Sequence, residues 1–499
     1  MQKSAEGIVG EGNEPDKVGR PHSTEGPNGS RASRKRGLMA VTRQKQQTML
    51  PFAEAERGEA PSPEAQGAET DIAKPANESQ TGAEKLMEEI CDRRNLKEAY
   101  QRVKANKGSP GVDGMSVAEL AEHLREHIDE IKEQLIKGTY KPAAVKRIEI
   151  PKAGGGKRKL GIPTVVDRFV QQAILQVLQR RWDPTFSEHS YGFRPGRTAH
   201  QAVAQAQEYI AEGYEVVVDM DLEKFFDRVN HDILMSRIAR RETDKRLLRI
   251  IRAFLNAGVM EDGLVSPSPE GTPQGGPLSP LLSNLLLDDL DKELEKRGHR
   301  FVRYADDSNI YVKTERGGQR VMASVEKYLT RKLKLKVNRE KSAVGSPKDR
   351  KFLGFSFFGD KKPRRKVSDK SLKKFKHQVR ELTRRTRGVS IERTVDDLAR
   401  YLRGWVGYYG HCETPNTLRD LDSWIRRRLR CVIWRQMKNG WVRYAQLTGR
   451  GVRADLAKTC AGSYHSAWGI ARSQAMNTAY PNAYFRYLGL PELASGYKG

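Results

Sequence analysis

Phe301-Val302-Arg303-Tyr304-Ala305-Asp306-Asp307-Ser308-Asn309-Ile310-Tyr311-Val312 sets two adjacent carboxylates between two short apolar runs. This arrangement predicts a β-hairpin with both acids at a tight turn. Side by side, Asp306 and Asp307 repel, and each raises the other's pKa; a bound cation relieves that repulsion. The same dipeptide is equally at home in an ordinary solvated loop, so the pair alone does not decide the chemistry.

A second acidic strand is predicted upstream. Tyr214-Glu215-Val216-Val217-Val218-Asp219-Met220-Asp221 joins β-branched residues to acids at its far end, and Leu222-Glu223-Lys224-Phe225-Phe226-Asp227 follows. Asp219 is read as facing the opposite side of this strand from Asp221, and Asp227 as lying on the helix side of the turn. Three stretches now stand in a telling order: 221–227, then Gly271-Thr272-Pro273-Gln274-Gly275-Gly276-Pro277-Leu278-Ser279-Pro280, then 304–307. That order resembles the reverse transcriptases encoded by group II introns. The resemblance extends to Lys157-Arg158-Lys159-Leu160-Gly161-Ile162-Pro163-Thr164, to Ser190-Tyr191-Gly192-Phe193-Arg194-Pro195 and to Lys351-Phe352-Leu353-Gly354-Phe355, and so covers roughly residues 84–444.

The resemblance implies an α+β right-hand polymerase, with an antiparallel palm sheet, α-rich fingers and a helical thumb or maturase domain. It implies an RNA-directed DNA polymerase that uses two Mg²⁺ ions. Asp221, Asp306 and Asp307 are the expected holders of those ions, with the backbone carbonyl of Leu222 as a further ligand. Phe226 is the expected sugar gate, a ring that leaves no room for a ribose 2′ hydroxyl, although one of Phe225 and Phe226 must also serve the core. Gln274 is expected against the incoming nucleotide and template. Arg158 matches the triphosphate-binding arginine, with Lys159, Lys152 and Arg168 as helpers. Lys341 is either a proton donor to pyrophosphate or a plain surface charge.

Composition points the same way. Lys and Arg number 90 against 63 Asp and Glu, a net charge of +27, and a polyanion is the natural partner of such an excess. No run of about 18 apolar residues is present, which excludes a membrane-spanning helix. Residues 361–438 concentrate 23 basic against 8 acidic side chains among several Trp and Tyr, a mixture suited to phosphates and unstacked bases. Candidate nucleic-acid contacts are Arg194, Lys373, Lys374, Lys376, Arg384, Arg385, Arg426, Arg427 and Arg428. Cys91, Cys412, Cys431 and Cys460 show no paired spacing, which argues against zinc or disulfides and fits free thiols in a reducing cytoplasm.

The expected division is a disordered tail over 1–84, a helical extension over 85–140, fingers and palm over 141–360, a basic thumb or maturase domain over 361–450, and a C-terminal extension over 451–499. The tail is rich in Gly, Pro, Ser, Glu and Ala and lacks the apolar surface needed to offset chain entropy. Within the extension, Ser116 and Glu119 have capping-box spacing ahead of the stripe Leu120, Leu124, Ile128, Ile131 and Leu135. Two strands are expected over 145–150 and 157–162, a helix over 166–181, and a strand over 351–358. After residue 444 only Cys460 and His465 remain of the residues a paired-cysteine endonuclease would need, so the resemblance is to endonuclease-less members. The implied partners are the parent group II intron RNA, an RNA template with a DNA primer, target DNA and deoxynucleoside triphosphates, in a bacterial cytoplasm and at the nucleoid when target DNA is bound. Two other classes share part of this pattern: a retron-like reverse transcriptase without a splicing role, and a binding-only splicing cofactor.

Overall fold

The computed structural model describes residues 85–498 apart from 152–156, 262–263, 267–269, 273–274 and 360–361, and the side chains of Arg158 and Arg385 are also outside it. The expected tail over 1–84, and the candidates Lys152 and Gln274, lie outside the described residues.

The central sheet is built from β3 (Val216–Met220), β6 (Arg300–Tyr304), β7 (Asp307–Val312) and β8 (Ala343–Gly345), in the spatial order β6-β7-β3-β8. Every neighbouring pair is antiparallel. β-branched residues fill its middle, and Val217, Val218, Phe301, Val302, Ile310 and Tyr311 are all buried. Helix Glu315–Tyr328 packs on β3, and helices Ala199–Ala211 and Ser279–Lys296 pack on β6. Asp221 follows the end of β3, and Asp306 and Asp307 stand at the turn between β6 and β7.

A second sheet runs β2-β1-β4-β5, from β1 (Val145–Pro151), β2 (Lys157–Ile162), β4 (Val259–Glu261) and β5 (Leu264–Ser266). The expected β1–β2 hairpin is present, but β1 also pairs in parallel with β4 more than 100 residues downstream. Helix Val165–Trp182 supports this part. Thr164 caps it by accepting the Asp167 N–H at 3.0 Å. Asp167 in turn accepts the Tyr140 hydroxyl at 2.9 Å and the Ala143 N–H at 3.2 Å, which fixes the chain entering β1.

Two local expectations need correction. The helix expected from Ser116 starts at Leu120: the Glu119 carboxylate takes both the Ser116 N–H (2.7 Å) and its hydroxyl (2.8 Å), so only half of the capping box forms. The strand expected over 351–358 is shortened to β9 (Phe355–Phe358), paired with β10 (Arg364–Val367). Phe352 and Phe355 exchange backbone hydrogen bonds of 2.9 Å around Leu353 (φ 49°) and Gly354 (φ 83°), a tight turn that no strand can pass through.

Beyond β10 the chain is helical. Asp369–Leu382, Ile391–Tyr409 and Pro415–Gln436 bury Phe375 and Val379, then Val395, Leu398, Leu402 and Trp405, then Leu421, Ile425 and Leu429. Phe375 and Trp405 meet with ring centroids 4.3 Å apart. The following short helices are tied back onto Pro415–Gln436 by buried Asp422, which accepts the N–H groups of Leu493 (2.8 Å) and Ala494 (3.0 Å). All four cysteines are free and buried.

A histidine pair marks the contact between helix Ala199–Ala211 and the end of helix Ile391–Tyr409. The rings of His200 and His411 lie 4.0 Å apart, and His200 Nε2 is 2.8 Å from the Tyr408 carbonyl. Burial holds both imidazoles below their usual value, helped by Lys498 and Arg365, and His411 falls to about 4. Both rings are therefore neutral in the fold and bind protons more readily once unfolded. For His411, stability is lost as pH falls from about 6.5 towards 4, by up to about 1.4 kcal/mol per unit, and His200 contributes in the same direction. Denaturant melts at pH 7.5 and pH 5 are expected to show a drop for the wild type that is smaller in His411→Gln by roughly 1 kcal/mol; equal drops would remove the histidine from the account.

Candidate active site

The acids meet because of register. β3 and β7 pair Asp219 with Asn309 and Met220 with Ser308; Asp221 follows the last residue of β3, and Asp307 opens β7 next to Ser308. Asp307 opens β7 immediately after the two-residue turn Ala305-Asp306, whose flanks Tyr304 and Asp307 are paired. The hairpin read from the sequence is therefore present, with Asp306 at its tip.

The electrostatics report the same convergence. Burial, together with the charges of Asp219, Asp306 and Asp221 and against the opposing charge of Lys351, pushes the Asp307 carboxyl up to about 7. Asp219 has to be moved from its expected place. Residues two apart on a strand share a face, and Asp219 is the foremost charge acting on Asp307, so it stands on the same side as Asp221. It is a different kind of acid there: its Oδ2 takes hydrogen bonds from Arg350 Nη2 (2.7 Å) and Nε (3.1 Å), so it is already neutralised.

The segment after helix Glu315–Tyr328 fixes Asp221. Its N–H donates to Ser342 Oγ (3.0 Å), and its carbonyl accepts from the Asn338 N–H (2.8 Å) and the Ser342 hydroxyl (3.3 Å). Lys341 Nζ stands 3.5 Å from Asp221 Oδ1. Leu222 bridges Val337 as a pair flanked by the Asn338-to-Asp221 and Glu223-to-Lys336 hydrogen bonds. In such a pair the middle residue turns its own N–H and C=O away from its partner, so the Leu222 carbonyl is directed away from Val337.

A cavity of about 280 Å³ lies at the turn that follows Asp221 in the chain, lined among others by Arg147, Lys159, Lys224, Phe226, Asp227 and Thr272. Phe225 and Phe226 divide their labour as their adjacency requires. Phe225 is buried, whereas Phe226 is partly exposed and faces the cavity, the two rings meeting edge to face at 5.2 Å. The loop carrying Gly271 and Thr272 is laid against this turn: the Thr272 N–H donates to the Phe226 carbonyl at 2.6 Å. Lys159 reaches Glu261 at 3.6 Å on the cavity rim, and Arg147 reaches the same carboxylate at 3.1 Å. The backbone of Arg158 pairs with Ile150 in the adjoining strand. Arg168 does not join the cavity lining; its guanidinium donates to the Ser109 carbonyl at 2.7 Å.

Among the described residues no three His, Cys, Asp or Glu side chains close a metal cage by themselves. The donor chemistry nevertheless suits a hard divalent ion. Crowded carboxylates, one of them raised by burial and by its neighbours' charge, gain from a cation, and Mg²⁺ characteristically completes its shell with water and substrate phosphate.

Several expected nucleic-acid contacts are spent inside the fold. Arg194 is buried, donating from Nε to Asp183 Oδ1 (2.8 Å), from Nη1 to the carbonyls of Ser187 and Ser190, and from Nη2 to the Asp183 carbonyl. Such a saturated guanidinium has no donor left for phosphate. Arg427 lies 3.9 Å over the Trp468 ring and donates to its carbonyl at 2.8 Å, Arg428 donates to Thr383 Oγ1 at 2.7 Å, and Arg426 stands 3.9 Å from Glu492. These three fasten helix Pro415–Gln436 to its neighbours. Lys373, Lys374 and Arg384 are exposed, Lys376 is half-buried, and Arg384 pairs with Glu381 at 2.8 Å.

The sequence reading missed Arg350, Lys351 and Ser342. Lys351 lay within a quoted motif, but its action on the acids depends on a chain reversal that spacing does not reveal.

A polymerase palm with acids at its strand ends is the class that this geometry defines, and comparison with known proteins agrees. The family model for reverse transcriptase (RNA-dependent DNA polymerase) matches residues 150–357, and that for the group II intron maturase-specific domain matches residues 372–450. Protein YkfC of Escherichia coli is 31% identical over 316 residues, covering 55% of this chain and 82% of that protein. Group II intron-encoded protein LtrA of Lactococcus lactis is 35% identical over 206 residues, 41% of this chain. The match spans about a third of LtrA's own length (34%). The chain belongs to the family of group II intron reverse transcriptases and maturases, an RNA-directed DNA polymerase joined to a maturase-specific domain with nucleic acid as its partner. No helix among the described residues is long and apolar enough to cross a membrane.

Proposed function

We propose that this protein binds its parent group II intron RNA, assists its splicing, and copies it into DNA from a primer at the target site, working in the cytoplasm and at the nucleoid. The reading divides the chain into fingers and palm over 141–360, a thumb with splicing function over 361–450 and an accessory extension over 451–499. The observation that carries the reading is the convergence on Asp307, at the start of β7, of the charges of Asp219, Asp306 and Asp221 from the end of β3 and the hairpin tip.

Adding a nucleotide forms a bond from the primer 3′ oxygen to the α-phosphorus, breaks the α–β bridge and releases pyrophosphate. Two Mg²⁺ ions held by Asp221, Asp306, Asp307 and the Leu222 carbonyl would supply charge stabilisation at both oxygens. The rest falls to the chain's own side chains. Lys159 and Arg158 neutralise the triphosphate from the β1–β2 hairpin. Phe226 fills the space beneath the sugar, and Gln274 approaches the nascent base pair from the glycine-rich loop. Lys341, poised beside Asp221, protonates or holds the departing pyrophosphate. Lys373, Lys374, Lys376 and Arg384 offer phosphate contacts on the helical domain, and Arg385 extends that set.

The test is extension of a DNA primer on an RNA template with deoxynucleotides, by wild type and by Asp307→Asn, alongside a splicing assay of both. Extension by the wild type alone, with splicing retained in the variant, is the expected result. Failure of the wild type to extend any primer would overturn the polymerase reading.

A further inference from the structure

We infer that Arg303 is a positioning residue that locks the carboxylate-bearing turn through a buried fork, and that its partners Asp291, Asn284 and Ser190 make the turn's shape a property of the fold rather than of bound metal. The inference rests on the polymerase reading of the site.

Arg303 precedes Tyr304 on β6 and its side chain is 1% exposed. Nε donates to Asp291 Oδ1 (2.8 Å); Nη2 donates to Asp291 Oδ2 (2.6 Å) and Ser190 Oγ (2.7 Å); Nη1 donates to Asn284 Oδ1 (2.9 Å) and the Ala305 carbonyl (2.9 Å). Every N–H of the guanidinium is used, in the plane that only arginine offers. The contact to Ala305 is the informative one. Ala305 sits at φ 58°, a left-handed conformation that disfavours a residue with a Cβ. Something must hold it there, and the guanidinium grips its carbonyl.

A second element presses on the same turn. The backbone of the 189–192 stretch runs alongside β6, with the Tyr191 N–H on the Arg303 carbonyl and the Arg303 N–H on the His189 carbonyl, both 2.9 Å. Asn284 closes the ring by donating to the Gly192 carbonyl at 2.8 Å. A Cβ at position 192 would sit 2.3 Å from the Ala305 nitrogen, so only glycine lets this stretch back the turn so closely. Asp306 and Asp307 follow directly, and their separation from Asp221 is set by the path of this turn. A fully satisfied buried network has one low-energy arrangement, and so specifies that path closely.

Arg303→Lys keeps the charge but cannot reproduce the fork. Single-nucleotide extension is measured for kcat and nucleotide KM, and Mn²⁺ binding is followed by electron paramagnetic resonance in an unreactive complex with a dideoxy-terminated primer. The expected result is a kcat lower by 10-fold or more, nucleotide KM within about 3-fold of wild type and Mn²⁺ affinity weaker by 5-fold or more, with circular dichroism retained. A merely structural role would leave Mn²⁺ affinity unchanged in the folded fraction. Ser190→Ala decides the matter if the lysine variant does not fold, since it removes one contact and leaves the Arg303–Asp291 pair. A 3-fold or larger fall in both kcat and Mn²⁺ affinity supports the inference, and a smaller change in either overturns it. An inactive wild type would sink the polymerase reading instead, and an active wild type with active, metal-binding variants would sink this inference alone.

Discussion

Asp307→Asn is expected to lower DNA synthesis by about 10³-fold or more, equivalent to roughly 4 kcal/mol of lost transition-state stabilisation. The substitution preserves shape and hydrogen-bonding size while removing the charge that a metal would neutralise. Its effect on stability should have the opposite sign. Asp307 is held up to about 7 by burial and by Asp219, Asp306 and Asp221, so ionising it opposes folding. With divalent ions chelated, the variant should melt no lower than wild type at pH 8, and RNA binding should be unchanged. This pairing of inactivity with undiminished stability separates a catalytic acid from a structural one. Residual synthesis within tenfold of wild type in primer extension would remove Asp307 from the catalytic set.

Phe226→Ala is the second large effect. The ring lines the cavity while its neighbour Phe225 is buried, so truncation widens the cavity and leaves Phe225 in the core. Steric exclusion of a hydroxyl of this kind is worth about 1–3 kcal/mol, and the ratio of deoxynucleotide to ribonucleotide kcat/KM should fall by roughly 10–100-fold. The gain should come from faster ribonucleotide use rather than slower deoxynucleotide use. Single-nucleotide incorporation with matched deoxy- and ribonucleotides measures it, and an unchanged ratio in an active variant would refute the gate.

Features carried by local pattern were legible in the sequence. The short apolar runs on either side of Asp306-Asp307 marked the hairpin, and the stripe Leu120, Leu124, Ile128, Ile131 and Leu135 marked the helix Leu120–Lys137, because both depend on neighbours a few residues away. Asp219 was misplaced by a slip in strand geometry: a spacing of two keeps a side chain on the same face. The arginines were misread for a different reason. Arg194 and Arg426, Arg427 and Arg428 are indistinguishable by composition from surface arginines, and their use inside the fold depends on Asp183, Glu492, Trp468 and Thr383, which only the tertiary structure brings near. The parallel pairing of β1 with β4 was equally out of reach, since nothing local to either strand encodes it. Basic residues thus showed the polyanion partner as a class while overstating which side chains touch it.

The central claim is that residues 221, 306 and 307 share divalent ions. Anomalous diffraction from crystals grown with Mn²⁺, a dideoxy-terminated primer on RNA template and the next deoxynucleotide locates those ions directly. The account predicts Mn²⁺ density between Asp221 and Asp307, in contact with the nucleotide triphosphate. An ordered nucleotide with no Mn²⁺ touching either carboxylate would contradict it.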